Sequence, residues 1–445
     1  MTGRSLLSGW GGTAPTAAEV EHPSSLAELA AGLEAAPSRG VLARGLGRSY
    51  GDAAQNAGGR VLAADAVADA PGPIIDGTIH VPASTSIDAL LHVIVPQGFF
   101  VPVTPGTRFV TIGGAVAADI HGKNHHADGS IASHVRRMRV ALPSGDIVDC
   151  SPVEEPDLFW ATCGGMGLTG VVLDVDLALA PIASSSLLVD TDRAADLDAV
   201  MALMDDGDSR YHYSVAWIDL MATGKSLGRS VLQRGDFAPP AAGGADPFAY
   251  DAKVLVQAPP VPVGFVNRAS IMAFNEGWYR KAPKQRRDER QSIPAFFHPL
   301  DMIGHWNRMY GPRGFLQWQP VIPLGSEAVL ATIVEAIAKA GIPTFVNVLK
   351  RFGPGNEGHL SFPVAGWTLS LDIPAAAKGL GQLLDRLDVL VTDCGGRVYL
   401  AKDSRVRADL IPKMYPRLDE WRAVRHRYDP DRAMQSDLAR RLDLL

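Results

Sequence analysis

The spacing of apolar positions changes character about two-fifths of the way along the chain. In the first 182 residues, short apolar runs at 60–62, 79–81, 138–142 and 171–179 predict strands. Runs with three- and four-residue spacing at 86–94 and 111–120 predict helices between them. From about Ser184 the two-residue alternation lengthens, at 187–190, 211–218, 315–322, 344–348 and 368–372, and this predicts an antiparallel sheet. Segments 197–204, 327–340 and 380–391 carry apolar residues at helical spacing, so each should lay one face on that sheet. No internal repeat is evident. The fold class is therefore α+β, with two domains.

Residues 254–291 break the pattern. The stretch is apolar and interrupted by Pro259, Pro260 and Pro262, then turns basic with Arg280, Lys281, Lys284, Arg286, Arg287 and Arg290 against Asp288 and Glu289. It reads as a long mobile loop. Two roles stay open: a solvated basic loop, or an apolar-plus-basic surface for an anionic membrane or a polyprenyl phosphate.

Composition narrows the classes. At 445 residues and 47% hydrophobic content the chain can bury a large core. A net charge of −6 argues against general nucleic-acid binding, which needs a basic surface. Cys150, Cys163 and Cys394 are odd in number and widely spaced, which predicts free thiols and a reducing compartment. The start, Met1 to Ser5, lacks an apolar stretch, and no run reaches the roughly 18 apolar residues of a membrane span, so a soluble or peripheral protein is expected.

The chemistry concentrates in glycine-rich segments. The run Ala43 Arg44 Gly45 Leu46 Gly47 Arg48 Ser49 Tyr50 Gly51 Asp52, followed by Ala53, leaves a predicted strand at 40–43. Its glycines let successive backbone N–H groups turn toward an anion such as a pyrophosphate. It is neither a Rossmann fingerprint, with Tyr50 where a third glycine should stand, nor a P-loop, which would need Gly-Lys-Ser/Thr. On spacing alone, a glycine turn without a ligand remains equally open. Pro105 Gly106 Thr107 and Thr111 Ile112 Gly113 Gly114 come later, then Asp157 Leu158 Phe159 Trp160 Ala161 with Gly164, Gly165 and Gly167 before Gly170 Val171 Val172.

In this order the segments resemble FAD-linked oxidoreductases of the vanillyl-alcohol-oxidase type, whose FAD-binding domain is PCMH-type. Further runs resemble the decaprenylphosphoryl-β-D-ribose 2′-oxidase family along nearly the whole chain: His121 Gly122 Lys123 Asn124 His125 His126, Phe297 His298 Pro299 Leu300 Asp301 Met302, Phe315 Leu316 Gln317, and Ala401 Lys402 Asp403 Ser404 Arg405. The resemblance implies a FAD-binding part at 1–182, a substrate part at 183–396 and a return to the FAD part at 397–445. It implies that FAD is held by residues 43–53, Gly106, Thr111, Ile112, Gly113, Gly114, Ala118, Asp119, Ile120, His121, Val172, Tyr399 and Lys402. Several relatives attach FAD through a histidine where Arg48 stands here. Arginine cannot form that link, so non-covalent FAD is expected.

The implied reaction removes a hydride and a proton from the 2′-hydroxyl of a polyprenylphosphoryl ribose, giving the keto sugar. That is the first half of an epimerisation toward the arabinose donor of cell-wall arabinan. An NADH-dependent short-chain reductase is the implied partner. Lys402 would stand at the flavin ring as a cation, although a lysine after a strand is ordinarily surface charge. Tyr50 lies by resemblance between flavin and substrate. His121 could orient the substrate hydroxyl or accept its proton; a structural histidine and a metal ligand sharing His125 and His126 stay open. Gly106, Lys123, Trp217, Phe297, Gln317, Gln319, Lys350, Thr368 and Ser370 match pocket positions. Lys350 is the natural partner of a substrate phosphate and Arg351 a second candidate; Trp217 reads equally as a core aromatic. Ser370 replaces a cysteine that nitroaromatic inhibitors trap in well-known relatives, Phe297 replaces a tyrosine and Thr368 an asparagine. A serine offers no thiolate, so turnover should persist while covalent trapping is lost. A sugar-alcohol or aldonolactone oxidase acting on a small polyol, and a flavin-bound scaffold without turnover, are the other classes. The implied location is cytoplasmic or peripheral at the inner membrane.

Overall fold

The computed structural model describes residues 3–63, 70–241, 243 and 246–445. Met1 and Thr2, at the head of the polar amino-terminal stretch, lie outside the described residues.

Two small sheets precede residue 180. The first has the order Gly3–Leu7, Thr16–Glu21, Arg60–Ala63, Val41–Arg44, the last three strands being mutually parallel. The second is antiparallel, in the order Ile74–Ile75, Thr78–Pro82, Val171–Ala178, Val135–Ala141, Ile147–Cys150. The helix Ile87–Ile94 packs beside it because Ser86 caps its first turn and Ile87, Leu90, Leu91 and Ile94 form one buried stripe. Each such aliphatic side chain contributes roughly 1.5–3 kcal/mol by leaving water.

From Ser186 onward the chain builds a nine-stranded antiparallel sheet, as the long alternations predict. The helices Leu197–Gly207, Glu327–Ala340 and Leu380–Asp393 join a single hydrophobic core with it, burying stripes such as Leu330, Ile333, Val334 and Ile337. The tail then returns to the beginning of the chain. Met434 bridges Val41, Arg441 grips the Asp52 carboxylate through two nitrogens at 2.8 Å, and the Trp421 indole donates to the Ala161 carbonyl at 3.0 Å.

Four expectations need correction. The segment at 254–291 is not one long loop: it holds the helix Arg268–Lys281 and the edge strand Gln285–Ser292. Asn267 and Ser270 form a reciprocal capping box that starts the helix. The strand pairs with Ser186–Ala194, where Arg287 meets Asp192. The helix expected over 111–120 ends at Ala117, because Asp119 adopts φ 41° and turns the chain outward. The strand at 315–322 is split into Phe315–Trp318 and Pro320–Pro323, leaving Gln319 between. The strand expected just before Lys402, from the run Arg397 Val398 Tyr399 Leu400 Ala401, covers only Arg397–Val398, after which Leu400–Lys402 make a 3-10 turn. Among the described residues no helix is long and apolar enough to cross a membrane, and the three cysteines are free.

Candidate active site

The strand Val41–Arg44 delivers the glycine segment. Two glycines there are required by contact. A Cβ on Gly45 would stand 2.3 Å from Thr111 Oγ1, and one on Gly51 would stand 2.0 Å from the Asp403 carbonyl. Residues 45–51 are thus pressed against both the Thr111 cap and the turn that carries Lys402. Arg44 braces the loop from behind by donating to the carbonyls of Ala54 at 2.6 Å and Ser8 at 2.8 Å. The N–H groups of Leu46, Gly47, Arg48 and Ser49 have no hydrogen-bond acceptor among the described residues. Arg48 lies 3.9 Å over the Trp10 ring, and its buried Nε has no partner. Successive unsatisfied amides beside an unpaired guanidinium fit a phosphate-bearing group.

The large sheet supplies the other half. Alternation on the strand Gly366–Pro374 turns Thr368, Ser370 and Asp372 to one face, while Trp367, Leu369 and Leu371 join the core on the other. Register adds Gln317 opposite Asp372, Lys350 opposite Thr368, Val348 opposite Ser370 and Trp217 opposite Val348. Arg351 therefore points to the reverse face, pairs with Asp205 and lies over Trp367, so it is no alternative to Lys350.

Lys402 joins the two halves. Its Nζ is 3.3 Å from Ser370 Oγ and 5.5 Å from the Tyr50 ring, whose backbone N–H donates to the Ala401 carbonyl. Tyr50 packs edge-on against Phe315, and burial raises its phenol pKa, with Asp372 adding to the shift. His121 is buried among Phe352, Phe362 and Tyr399. Gln319 Nε2 lies 2.9 Å from His121 Nε2 and donates to Thr368 Oγ1, which donates on to the Pro320 carbonyl. With the Gln319 amide so assigned, His121 Nε2 is the acceptor and the ring proton sits on Nδ1, which no group among the described residues accepts.

The electrostatics follow from burying several cations around one carboxylate. Burial lowers Lys402 to about 8 against the pull of Asp372. Burial, then repulsion from Lys402 and Lys123, lowers Lys350 to about 7. Lys123, lowered to about 7 by burial, donates to the Phe296 carbonyl and sits over the Phe296 ring. Asp372 rises to about 7 through burial, although Gln317 donates to one carboxylate oxygen; the other oxygen is buried without a partner. Burial and the lysines hold His121 well below the usual imidazole range. Lys350 has no ion pair among the described residues. Three crowded lysines beside one carboxyl leave an excess of positive charge that an anionic group would neutralise.

Other expected residues fall where they do different work. The Asp119 carboxylate accepts from Ser130, Ser361, Asn356 and the Ala132 N–H, so it fixes the turn before His121 and is not free for a ligand. Phe297 sits in an aromatic cluster with Phe100 and with Tyr213 and Phe237 of the large sheet, its ring 5.9 Å from the Lys123 ammonium. Ala118 contributes its carbonyl to Tyr399 at 2.7 Å. Asp52 is taken by Arg441, Ala53 and Ile120 are core, and Leu46 is exposed. Val172 lies in the second sheet opposite Val140. Ile112 is buried, Gly114 N–H is capped by Thr111, Gly113 abuts Ala83, and Gly106 faces open space. His121 and His125 both pack on Phe352, whereas His126 meets the Tyr211 carbonyl. The sequence reading missed Asp372, although it lies in the alternating run 368–372. It also missed His298 and Asp301, which hold Thr104, Thr107 and the Arg108 N–H, and so fix the loop around Gly106.

Comparison with known proteins fits this geometry. The FAD binding domain family matches residues 17–151, and the D-arabinono-1,4-lactone oxidase family matches residues 327–442. The decaprenylphosphoryl-beta-D-ribose oxidase of Mycolicibacterium smegmatis is 43% identical over 99% of this chain and 97% of its own length. An uncharacterized protein of Streptomyces coelicolor is 42% identical over 81% of this chain and all of its own length. Cytokinin dehydrogenase 4 of Oryza sativa subsp. japonica is 29% identical over 37% of this chain and 33% of its own. The cofactor is FAD, and the unsatisfied amides at 46–49 fit its phosphates.

Proposed function

The chain belongs to the decaprenylphosphoryl-β-D-ribose oxidase family, and from that premise we propose that it oxidises the 2′-hydroxyl of decaprenylphosphoryl-β-D-ribose, or a similar polyprenylphosphoryl ribose, to the ketone. The observation that carries this for the substrate is the lysine cluster. Lys350, with no carboxylate partner and its pKa lowered by burial and by its neighbours Lys402 and Lys123, is suited to a phosphate.

FAD, held at its phosphates by the 46–49 amides and Arg48, would supply the hydride acceptor for the carbinol carbon. The protein's residues do the rest. Lys350 and Lys123 hold the phosphate, and Trp217 and Val348 wall the sugar. His121, neutral and fixed by Gln319, offers its Nδ1 proton to a substrate oxygen, so of its two open roles it orients the hydroxyl. The hydroxyl proton passes to Lys402 in its neutral fraction, with Asp372 beside it to share the charge. Phe352, Phe362 and Tyr399 keep water from the His121 ring. Ser370 near Lys402 leaves no thiolate for nitroaromatic trapping.

We take residues 1–182 and 397–445 as the FAD-binding part and 183–396 as the substrate part. FAD is held without a covalent bond, because Arg48 stands where relatives carry the linking histidine. An NADH-dependent short-chain reductase would complete the epimerisation, and a cytoplasmic or peripheral inner-membrane location suits a lipid-linked substrate. The match to D-arabinono-1,4-lactone oxidases leaves a soluble polyol as the second substrate class, but such a molecule gives Lys350 and Lys123 nothing to neutralise. Mass spectrometry after incubation with polyprenylphosphoryl ribose, free alditols and aldonolactones decides. A product two hydrogens lighter from the lipid alone supports the proposal; one from the soluble sugars alone overturns it.

A further inference from the structure

The helix Asp437–Arg441 has five residues, too few to form on propensity alone. Ser436 caps it by accepting from the Ala439 N–H at 3.0 Å, and Asp437 accepts from the Ala57 N–H and the Thr16 hydroxyl, each at 2.9 Å. These bonds pin the helix to the turn that follows the glycine run. They also bring Arg441 to the joint between that run and the turn that carries Lys402.

The Arg441 guanidinium spans the joint. Its Nε and Nη2 donate to the two oxygens of Asp52 at 2.8 Å, and its Nη1 lies 2.8 Å from Asp403 Oδ2 and donates to the Val406 carbonyl at 3.1 Å. The other Asp403 oxygen accepts from the N–H groups of Arg405 and Val406, each at 2.9 Å. Among the described residues no second cation pairs with Asp52 or Asp403. Two carboxylates that repel each other are thus held on one cation, one from the end of the glycine run and one from the residue after Lys402. The planar fork of an arginine can meet both together, and an ammonium cannot.

This joint decides where Lys402 stands. Its Nζ makes a single hydrogen bond among the described residues, to Ser370 Oγ at 3.3 Å, so the backbone of the turn Leu400–Lys402 sets its position. That turn touches the glycine run where the Tyr50 N–H donates to the Ala401 carbonyl at 3.0 Å and where Gly51 abuts the Asp403 carbonyl. Arg441 holds both contacts closed from outside.

We propose that Arg441 is a positioning residue for the oxidation, acting through Lys402 by locking the turn at 400–403 to the loop that receives FAD. The proposal rests on the proton-accepting role given to Lys402 above. A reacting group displaced by about 1 Å can lose about 100-fold in rate, so a residue far along the chain and outside the pocket can matter this much.

The test follows anaerobic flavin reduction by polyprenylphosphoryl ribose in the full chain saturated with FAD. Arg441→Met should slow reduction about 30-fold at saturating substrate and change half-saturation by less than about twofold. Arg441→Lys, which keeps the charge without the fork, should be only about threefold slower than wild type. The variant Arg441→Met/Lys402→Met should be no slower than Lys402→Met alone, because a residue that acts through Lys402 then has nothing left to act on. Losses that multiply in the double variant overturn the inference, as does a wild-type rate in Arg441→Met. Should Arg441→Met not fold, Asp403→Asn keeps an oxygen for the Arg405 and Val406 N–H groups but turns an amide toward Arg441. It should slow reduction about fivefold and show the same non-additivity with Lys402→Met; multiplying losses there overturn the inference equally. Hydrogen exchange gives a reading without turnover. The Tyr50 amide should exchange at least about tenfold faster in Arg441→Met than in wild type, and as in wild type in Lys402→Met. Unchanged protection in Arg441→Met overturns the inference. Failure of the wild-type flavin to be reduced would instead refute the proposed reaction, and exchange at Tyr50 would then decide the role of Arg441 alone.

Discussion

Residues 43–53 offer a ligand their backbone, whereas the large sheet offers side chains delivered from four strands. The first region works by close approach: Gly45 against Thr111 and Gly51 against Asp403 allow no Cβ, and four consecutive N–H groups are left to the ligand. The second works by period-two alternation and register, which bring Lys350, Thr368, Ser370, Asp372 and Gln317 to one face although they are far apart in sequence. A backbone site fails all at once when its packing is disturbed. A side-chain site fails residue by residue, and each loss has its own kinetic signature.

Breaking the backbone half should have the largest effect. Gly51→Val drives a Cβ into the Asp403 carbonyl, which cannot yield without moving Lys402. A loss of about 3 kcal/mol in stability is expected, together with loss of FAD on gel filtration, read from absorbance and thermal melting. Lys402→Met should leave FAD bound and the fold intact while lowering kcat about 100-fold, the lower end of the scale for removing a positioned proton acceptor. Stopped-flow flavin reduction checks it.

Lys350 sharpens the comparison through pH. A lysine lowered to about 7 is charged below that pH and neutral above it, so affinity for the phosphorylated substrate should fall as pH rises through about 7. Lys350→Arg keeps the charge and should flatten that fall, whereas Lys350→Met should raise KM about tenfold with kcat nearly unchanged. The same burial sets a stability trend. The unfolded lysines hold protons up to about pH 10 while the folded ones release them near 7, so the unfolded state binds more protons in between. Ligand-free stability from these groups should therefore rise from pH 7 to 10, and thermal melts would show it. The smallest effect is expected from Gln319→Leu, about fivefold in kcat, because it frees the His121 ring without removing it. The His121 imidazole resonances should shift between wild type and this variant; unchanged resonances would mean that Gln319 merely packs.

Much of this is legible in the amino-acid sequence. The glycine run, the lysine after residue 397, the helix Glu327–Ala340 and the antiparallel sheet all announce themselves through local spacing. Three things do not. Asp372 reads as an edge polar residue until register sets it opposite Gln317. Asp119 reads as a ligand contact until Ser130, Asn356 and Ser361 converge on it from distant segments. The helix Arg268–Lys281 has a polar, glycine-containing sequence; its capping box and the Asn275–Asp219 bond hold it in place. In each case the deciding partner is remote in sequence, where local periodicity carries no information.

The most direct measurement is an anaerobic absorbance titration of the FAD-loaded protein with polyprenylphosphoryl ribose, with the same sugar lacking its phosphate, and with free polyols. The account predicts bleaching of the flavin band by the phosphorylated lipid at concentrations at least about tenfold below those needed for the unphosphorylated sugar. Equal bleaching by both, unaffected by Lys350→Met, would contradict it.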